Sequence, residues 1–251
     1  MWKNIVQTYS SRNLTFGRDK LPALSGLAQA MSYSGRFTYV AGLWREQLAE
    51  GLTWSHVGSA RRDTAAGSSR LGEYVAPTFS WASVSGEVAW RTRGPHQTVE
   101  ILEVACSLAG HDPCGQVTSG YIWLKGQLLP CKIKDKADDP VQFHQIDLGG
   151  WPYVDSRDDA AYGTDVDAFC LELFNSEDED NLMPYSIALL LTKYWDDGTY
   201  GQLAFETAQK LSSDTELEMF KKKPCYTRLG LVNMMDPRAF REVPKTELVI
   251  F

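Results

Sequence analysis

The sequence predicts an α+β fold of the β-rich kind: an antiparallel β-barrel or sandwich packed against N-terminal helices. Three observations predict it. Apolar residues recur at helical spacing only near the start of the chain. From Phe79 onward the period falls to two, with β-branched and aromatic residues in short runs. Candidate strands then follow at close intervals, as sandwiches and barrels require. A length of 251 residues fits one domain, 1–251, with a helical part at 1–55 and a β-rich part at 79–251.

The elements follow in order. Trp2, Ile5, Val6 and Tyr9 give a first helix, which Ser10 to Asn13 break. A second starts near Asp19, with Pro22 in its first turn, where a missing N–H costs nothing. Leu21, Leu24, Leu27, Ala28 and Met31 form its apolar face. A third is predicted from Val40 to Glu50, with Leu43, Trp44, Gln47 and Leu48 on successive turns and Gly51 as its C-cap. Residues 58–72 read as a loop whose Arg61, Arg62 and Arg70 stay in water. Strands are predicted at 88–90, 98–106, 142–148, 167–174, 185–194, 201–208, 226–232 and 246–251. Residues 116–129 read as a hairpin turning at Lys125-Gly126-Gln127. A short helix fits between Lys210 and Lys223, and acidic stretches lie at 155–167 and 177–180. Closure of the sheet would remove the exposed edges that so many strands create.

Composition excludes several classes. Hydrophobic residues make up 43%, charged 23% and aromatic 12%, which rules out a disordered chain or a fibre. With 25 basic and 32 acidic residues the net charge is −7, and no basic patch supports nucleic-acid binding. The longest apolar run, Ile187 to Leu191, is too short to span a bilayer. The opening residues have neither a secretory core nor an Arg-rich transit pattern. Five cysteines, odd in number and widely spread, read as reduced thiols of a cytoplasmic protein. The Asn13-Leu14-Thr15 acceptor is then expected to be idle, and the apolar C-terminus reads as a last strand tucked into a sheet.

Motifs for chemistry are sparse. The chain has no Gly-x-Ser-x-Gly elbow, phosphate loop or Gly-x-Gly-x-x-Gly turn, so nucleotide and nicotinamide cofactors are unsupported. His56, His96, His111 and His144 form no ligand pair, and His111-Asp112-Pro113-Cys114 reads as a turn between strands. Residues 155–166 fail as a calcium loop, because Arg157, Ala160 and Val166 occupy the positions of a ligand, the turn glycine and the closing glutamate. No metal and no cofactor is expected. What remains is the aromatic load of 8 Trp, 11 Tyr and 10 Phe. These rings either fill the core or line an apolar cavity. Under the second reading Tyr39, Trp44, Trp54 and Trp81 bind substrate, with Arg45 as an orienting donor. Under the first, Trp81 is the packing ring where helices meet sheet.

A resemblance sharpens this. The opening Trp2-x-x-Ile5-Val6-x-x-Tyr9-Ser10-x-Arg12-x-Leu14-Thr15 is followed by Asp19-Lys20-Leu21-Pro22-Ala23-Leu24-Ser25-Gly26-Leu27-Ala28. Tyr39-x-Ala41-Gly42-Leu43-Trp44, Leu52-x-Trp54 and Ala76-Pro77-x-x-Ser80-Trp81-Ala82-Ser83-Val84-x-Gly86 come next. Together they resemble the segment after the HET domain in fungal heterokaryon-incompatibility (HET) domain proteins. Thr78-Phe79 stand where that family often has Ser-Trp, and beyond Gly86 the match thins to Cys114-Gly115-x-Val117-x-x-Gly120 and Arg228-x-Gly230-Leu231. The resemblance implies a stand-alone C-terminal module without the HET domain, which would lie upstream.

Two functions are compatible with these readings. One is a cofactor-independent cyclase of the pericyclase or Diels–Alderase type in fungal natural-product biosynthesis. It would hold a hydrophobic terpenoid or polyketide in a reactive conformer, with hydrogen-bond donors assisting. The other is a non-enzymatic interaction or regulatory module that binds a protein partner, through the acidic loops.

Overall fold

The computed structural model describes residues 1–12, 14–32, 36–57, 70–71, 73–91, 96–135, 144–156, 166–176, 184–193 and 223–251. The predicted strand at 201–208, the helix before Lys223, Arg61, Arg62 and the acidic run 177–180 lie outside these residues. The described part is the expected β-rich α+β fold: a large sheet with a few helical elements at the N-terminal side.

Helix α1 spans Trp2–Ser10 and buries Trp2, Val6 and Ser10. The Ser10 hydroxyl accepts the Val88 N–H at 3.0 Å, so the end of α1 is tied to a strand of the next layer. Helix α2, Pro22–Ser32, begins at the proline as expected and buries Leu24 and Ala28. Its apolar face is narrower than predicted, because Leu27 is 51% exposed.

The first half of the predicted helix at 40–50 is replaced by a hairpin, and its second half is a 3₁₀ turn, Arg45–Gln47, that leads into a short α-helix. Strands β1 (Tyr39–Val40) and β2 (Leu43–Trp44) pair around Ala41-Gly42, and only Leu48–Gly51 is α-helical (α3). The turn residues have φ of 44° and 93°. Both are left-handed, as the favoured two-residue hairpin turn demands, and glycine adopts that conformation freely. Gly42 therefore interrupts the helical spacing that Leu43, Trp44 and Leu48 otherwise mimic. Strands β3 (Trp54–His56) and β4 (Val88–Trp90) form a second small ladder, with Trp54 opposite Trp90.

The main sheet has nine strands among the described residues. They are β5 (His96–Gln97), β6 (Glu100–Leu108), β7 (Val117–Asp135), β8 (His144–Ile146), β9 (Trp151–Val154), β10 (Val166–Asn175), β11 (Ser186–Lys193), β12 (Cys225–Met235) and β13 (Lys245–Ile250). Strand β7 corrects a second expectation. It runs straight through Lys125-Gly126-Gln127, which pair with Glu247, Thr246 and Lys245 of β13. A Cβ on Gly126 would lie 2.7 Å from Leu171 Cδ1 and 3.0 Å from Val99 Cγ1. The glycine thus marks a close approach of neighbouring layers rather than a turn.

The length of β7 lets it serve two neighbourhoods. Its first half pairs with β6 and β13, and its second half with β10 and β8. Pairings β7–β10–β11–β12–β13–β7 make a ring. The β12–β13 link is parallel and holds by two residue pairs, Cys225↔Val249 and Tyr226↔Ile250, so the barrel is not sealed along its length. Strand β9 covers the rest of that edge of β12. It falls outside the predicted strands because Gly149, Gly150 and Pro152 read as loop. The chain ends as expected: β13 lies inside the sheet and Phe251 is buried.

One continuous apolar cluster runs from Trp2, Leu24 and Leu43 through Trp54 and Trp81 to Leu189 and Ile250. The helical part and the sheet therefore share a core. A second cluster, around Cys131, Ile133, Cys170, Leu190 and Phe240, fills a separate part of the sheet.

Candidate functional site

The β1–β2 turn is the hub of the N-terminal part. The Gly42 carbonyl accepts two indole N–H groups, Trp2 Nε1 at 2.8 Å and Trp81 Nε1 at 2.9 Å. The Ala41 carbonyl accepts the Ser80 hydroxyl at 2.6 Å, and Ser80 in turn caps the short 3₁₀ turn Trp81–Ser83. A Cβ on Gly42 would fall 2.4 Å from Trp81 Nε1. Helix α1, the hairpin and the 80–83 turn are thus pinned at one carbonyl. Around it the rings of Trp2, Tyr39 and Trp44 pack edge to face, with centroids 5.3–5.8 Å apart.

A concavity of about 230 Å³ opens beside this cluster, walled by Trp2, Lys3, Trp44, Gln47, Glu50 and Trp90 among others. Lys3 and Glu50 on its wall form an ion pair at 3.3 Å. Trp90 Nε1 donates to the Gly51 carbonyl at 2.9 Å, which fixes that ring. The hollow lies below the roughly 300–1,000 Å³ usual for small-molecule pockets. It suits one ring or branched side chain better than a polycyclic substrate.

The five residues expected to bind substrate divide. Tyr39 and Trp44 meet in the ring cluster, and Trp44 lines the hollow. Arg45 is exposed next to it but outside its wall. Trp54 and Trp81 are both 0% exposed. Trp54 Nε1 donates to the Phe79 carbonyl at 2.9 Å. Neither ring lines the hollow, and both pack in the core cluster where helices meet sheet. Trp2 and Trp90 complete the hollow without having been among the expected substrate-binding residues. Trp2 was marked by the resemblance motif that it opens, and Trp90 only by its place in a predicted strand.

A second node lies between the helical part and the barrel. Arg228 is fully buried, and its Nε donates to Asp155 Oδ2 at 2.6 Å. Its remaining donors reach Asp155 Oδ1 at 3.2 Å, the Leu52 carbonyl at 2.7 Å and the Trp54 carbonyl at 2.5 Å. The guanidinium also stacks on Trp54 at 3.6 Å. Burial pulls Arg228 below the usual guanidinium range, and Asp155 opposes that shift. Arg70 joins the node rather than staying in water: it donates to Ser83 Oγ at 2.8 Å and to the Arg228 carbonyl at 2.5 Å. Asp155, the first residue of an acidic stretch offered as a partner surface, is thus an internal counter-ion.

Asp112 and Lys20 are likewise occupied in holding the fold. His111-Asp112-Pro113-Cys114 is the β6–β7 turn, as expected. Asp112 Oδ1 accepts the Cys114 N–H and Gln29 Nε2, each at 2.9 Å. Among the described residues no group of three or more His, Cys, Asp or Glu is placed to hold a metal ion. Burial raises Cys106 to about 12 and Cys114 to about 11, so neither is an activated thiolate. Lys20 is buried and its ammonium donates to the Val84 carbonyl; burial lowers it to about 8. No helix among the described residues is long and apolar enough to cross a membrane.

Comparison of the chain with family models, curated proteins and solved structures gives no match.

Proposed function

We propose that the chain is a non-catalytic interaction module of the heterokaryon-incompatibility type, acting in the cytoplasm, which receives a HET domain at the Trp2–Trp44–Trp90 hollow. One observation carries this reading. Five of the residues that bear the family resemblance, Trp2, Ala41, Gly42, Ser80 and Trp81, direct their polar atoms at one another. Those five build a shared scaffold rather than present groups to a substrate. The surface they leave is a small hollow with an ionic pair on its wall, suited to an apolar side chain of a partner. The acidic loops contribute less to this reading than expected, since Asp155 faces inward.

Calorimetric titration of the purified chain with a separately expressed HET domain tests this. Saturable binding is expected, and Gln47→Trp, which fills the hollow from an exposed position, should weaken it at least tenfold. No binding, together with conversion of a terpenoid or polyketide precursor by the chain alone, would replace the module with the cyclase.

A further inference from the structure

The second core cluster, remote from the hollow, brings two thiols together. Cys131 on β7 and Cys170 on β10 place their sulfurs 3.6 Å apart, 39 positions apart in sequence. In the ladder Cys131 is opposite Ala168 and Cys170 is opposite Leu129, so the two thiols meet on the diagonal of one face. Cys170 donates its S–H to Cys131. Both are buried, at 0% and 6% exposure, among Ile133, Leu190 and other apolar side chains. The remaining cysteines, Cys106, Cys114 and Cys225, belong to other parts of the fold, and all five are free thiols.

We propose that Cys131 and Cys170 are an oxidisable pair, the site of a cross-strand disulfide that staples β7 to β10. Closing a disulfide needs the sulfurs to approach from 3.6 Å to about 2.05 Å, which for a diagonal pair requires the two strands to shift as well as the side chains to rotate. The co-reactant is a small-molecule disulfide such as oxidised glutathione. One protein thiolate attacks it, forming a mixed disulfide and releasing one small thiol. The second protein thiolate then displaces the other. Two protein S–H bonds are lost, one S–S bond forms, and the reagent's S–S bond is reduced to two thiols that take up the protons.

The surroundings set the rate. The hydrogen bond with Cys131, and then burial, hold Cys170 well above the ordinary thiol range. Cys170 presents little thiolate and both sulfurs are buried, so the pair does not respond as a fast sensor. Oxidation proceeds while β10 is undocked, during folding or local opening. Once formed, the link closes a long loop that contains β8 and β9, which restricts the unfolded chain more than a short loop would.

The test is to refold the full chain in a glutathione redox buffer and in reductant, then compare intact mass, non-reducing peptide maps and thermal unfolding. The oxidised protein should lose two hydrogens, give a single linked peptide joining Cys131 to Cys170, and unfold roughly 5–15 °C higher. The oxidant-dependent shift should vanish in Cys131→Ser and in Cys170→Ala. Oxidation of the native chain without refolding should be at least tenfold slower. An unchanged mass after oxidative refolding would overturn the proposal, as would a linkage through Cys106, Cys114 or Cys225. The peptide map of the unsubstituted protein decides this even if a variant fails to fold.

Discussion

Two hubs hold this protein together by different physics. At Gly42 a single neutral carbonyl collects two indole N–H groups, and the surrounding rings are nearly self-sufficient in apolar packing. At Arg228 a full positive charge is buried, and it is tolerated only because Asp155, two backbone carbonyls and the Trp54 face answer it. A neutral hub loses one hydrogen bond at a time. A charged hub fails as a unit, because removing either ion leaves the other stranded in a medium that cannot solvate it.

That contrast is open to measurement. Arg228→Ala should cost about 3–5 kcal/mol in denaturant unfolding, as Asp155 remains buried with only the longer ion pair to Arg70, at 3.9 Å, to answer it. The pair Arg228→Met with Asp155→Leu should restore much of that loss. Equal damage from single and double variants would show that the node is valued for its carbonyl contacts, not its charge pair.

Lys20 is the counterexample inside the same molecule, a buried cation whose ammonium donates to the Val84 carbonyl. Its folded value, about 8, lies below the ordinary 10.5. The unfolded chain therefore binds the proton more tightly between those values, and stability rises with pH across that window. Below about 8 the full penalty stands. Lys20→Met should stabilise the protein at neutral pH by up to about 3 kcal/mol and flatten the rise above pH 8. A loss of stability at pH 7 would show that the ammonium is better accommodated than its burial implies.

At the neutral hub the effects should be smaller. Gly42→Ala forces a Cβ against Trp81 at a φ of 93° and should cost about 2 kcal/mol. Trp2→Phe keeps most of the ring and removes one of the two bonds to the Gly42 carbonyl, for about 1 kcal/mol. A Trp2→Phe loss as large as that of Arg228→Ala would erase the distinction between the hubs.

The same contrast explains what was legible in the sequence. Strands β10 to β13 were readable because runs such as Ile187 to Leu191 state their period locally. Helices α1 and α2 were readable from Trp2, Val6 and Leu24, and from Pro22 in the first turn. The hairpin was not, because Leu43, Trp44 and Leu48 keep helical spacing and only Gly42 betrays the turn. Lys125-Gly126-Gln127 looked like a turn because a glycine needed for close packing carries the same letter as one needed for a bend. The charged hub had no local signature at all: Asp155 and Arg228 lie 73 positions apart, each amid residues that read as loop or strand. Of the expected site, Trp44 lines the hollow and Tyr39 packs beside it, but nothing in the sequence marked these two. Trp54 and Trp81 were not separable from them by sequence, since burial is a property of the assembled core.

Hydrogen exchange with and without a bound HET domain tests the central claim most directly. The account predicts added protection confined to the backbone of residues 1–4, 43–51 and 88–91, the segments that wall the hollow. Protection concentrated instead on the β6 edge or around Arg228, with those three segments unchanged, would contradict it.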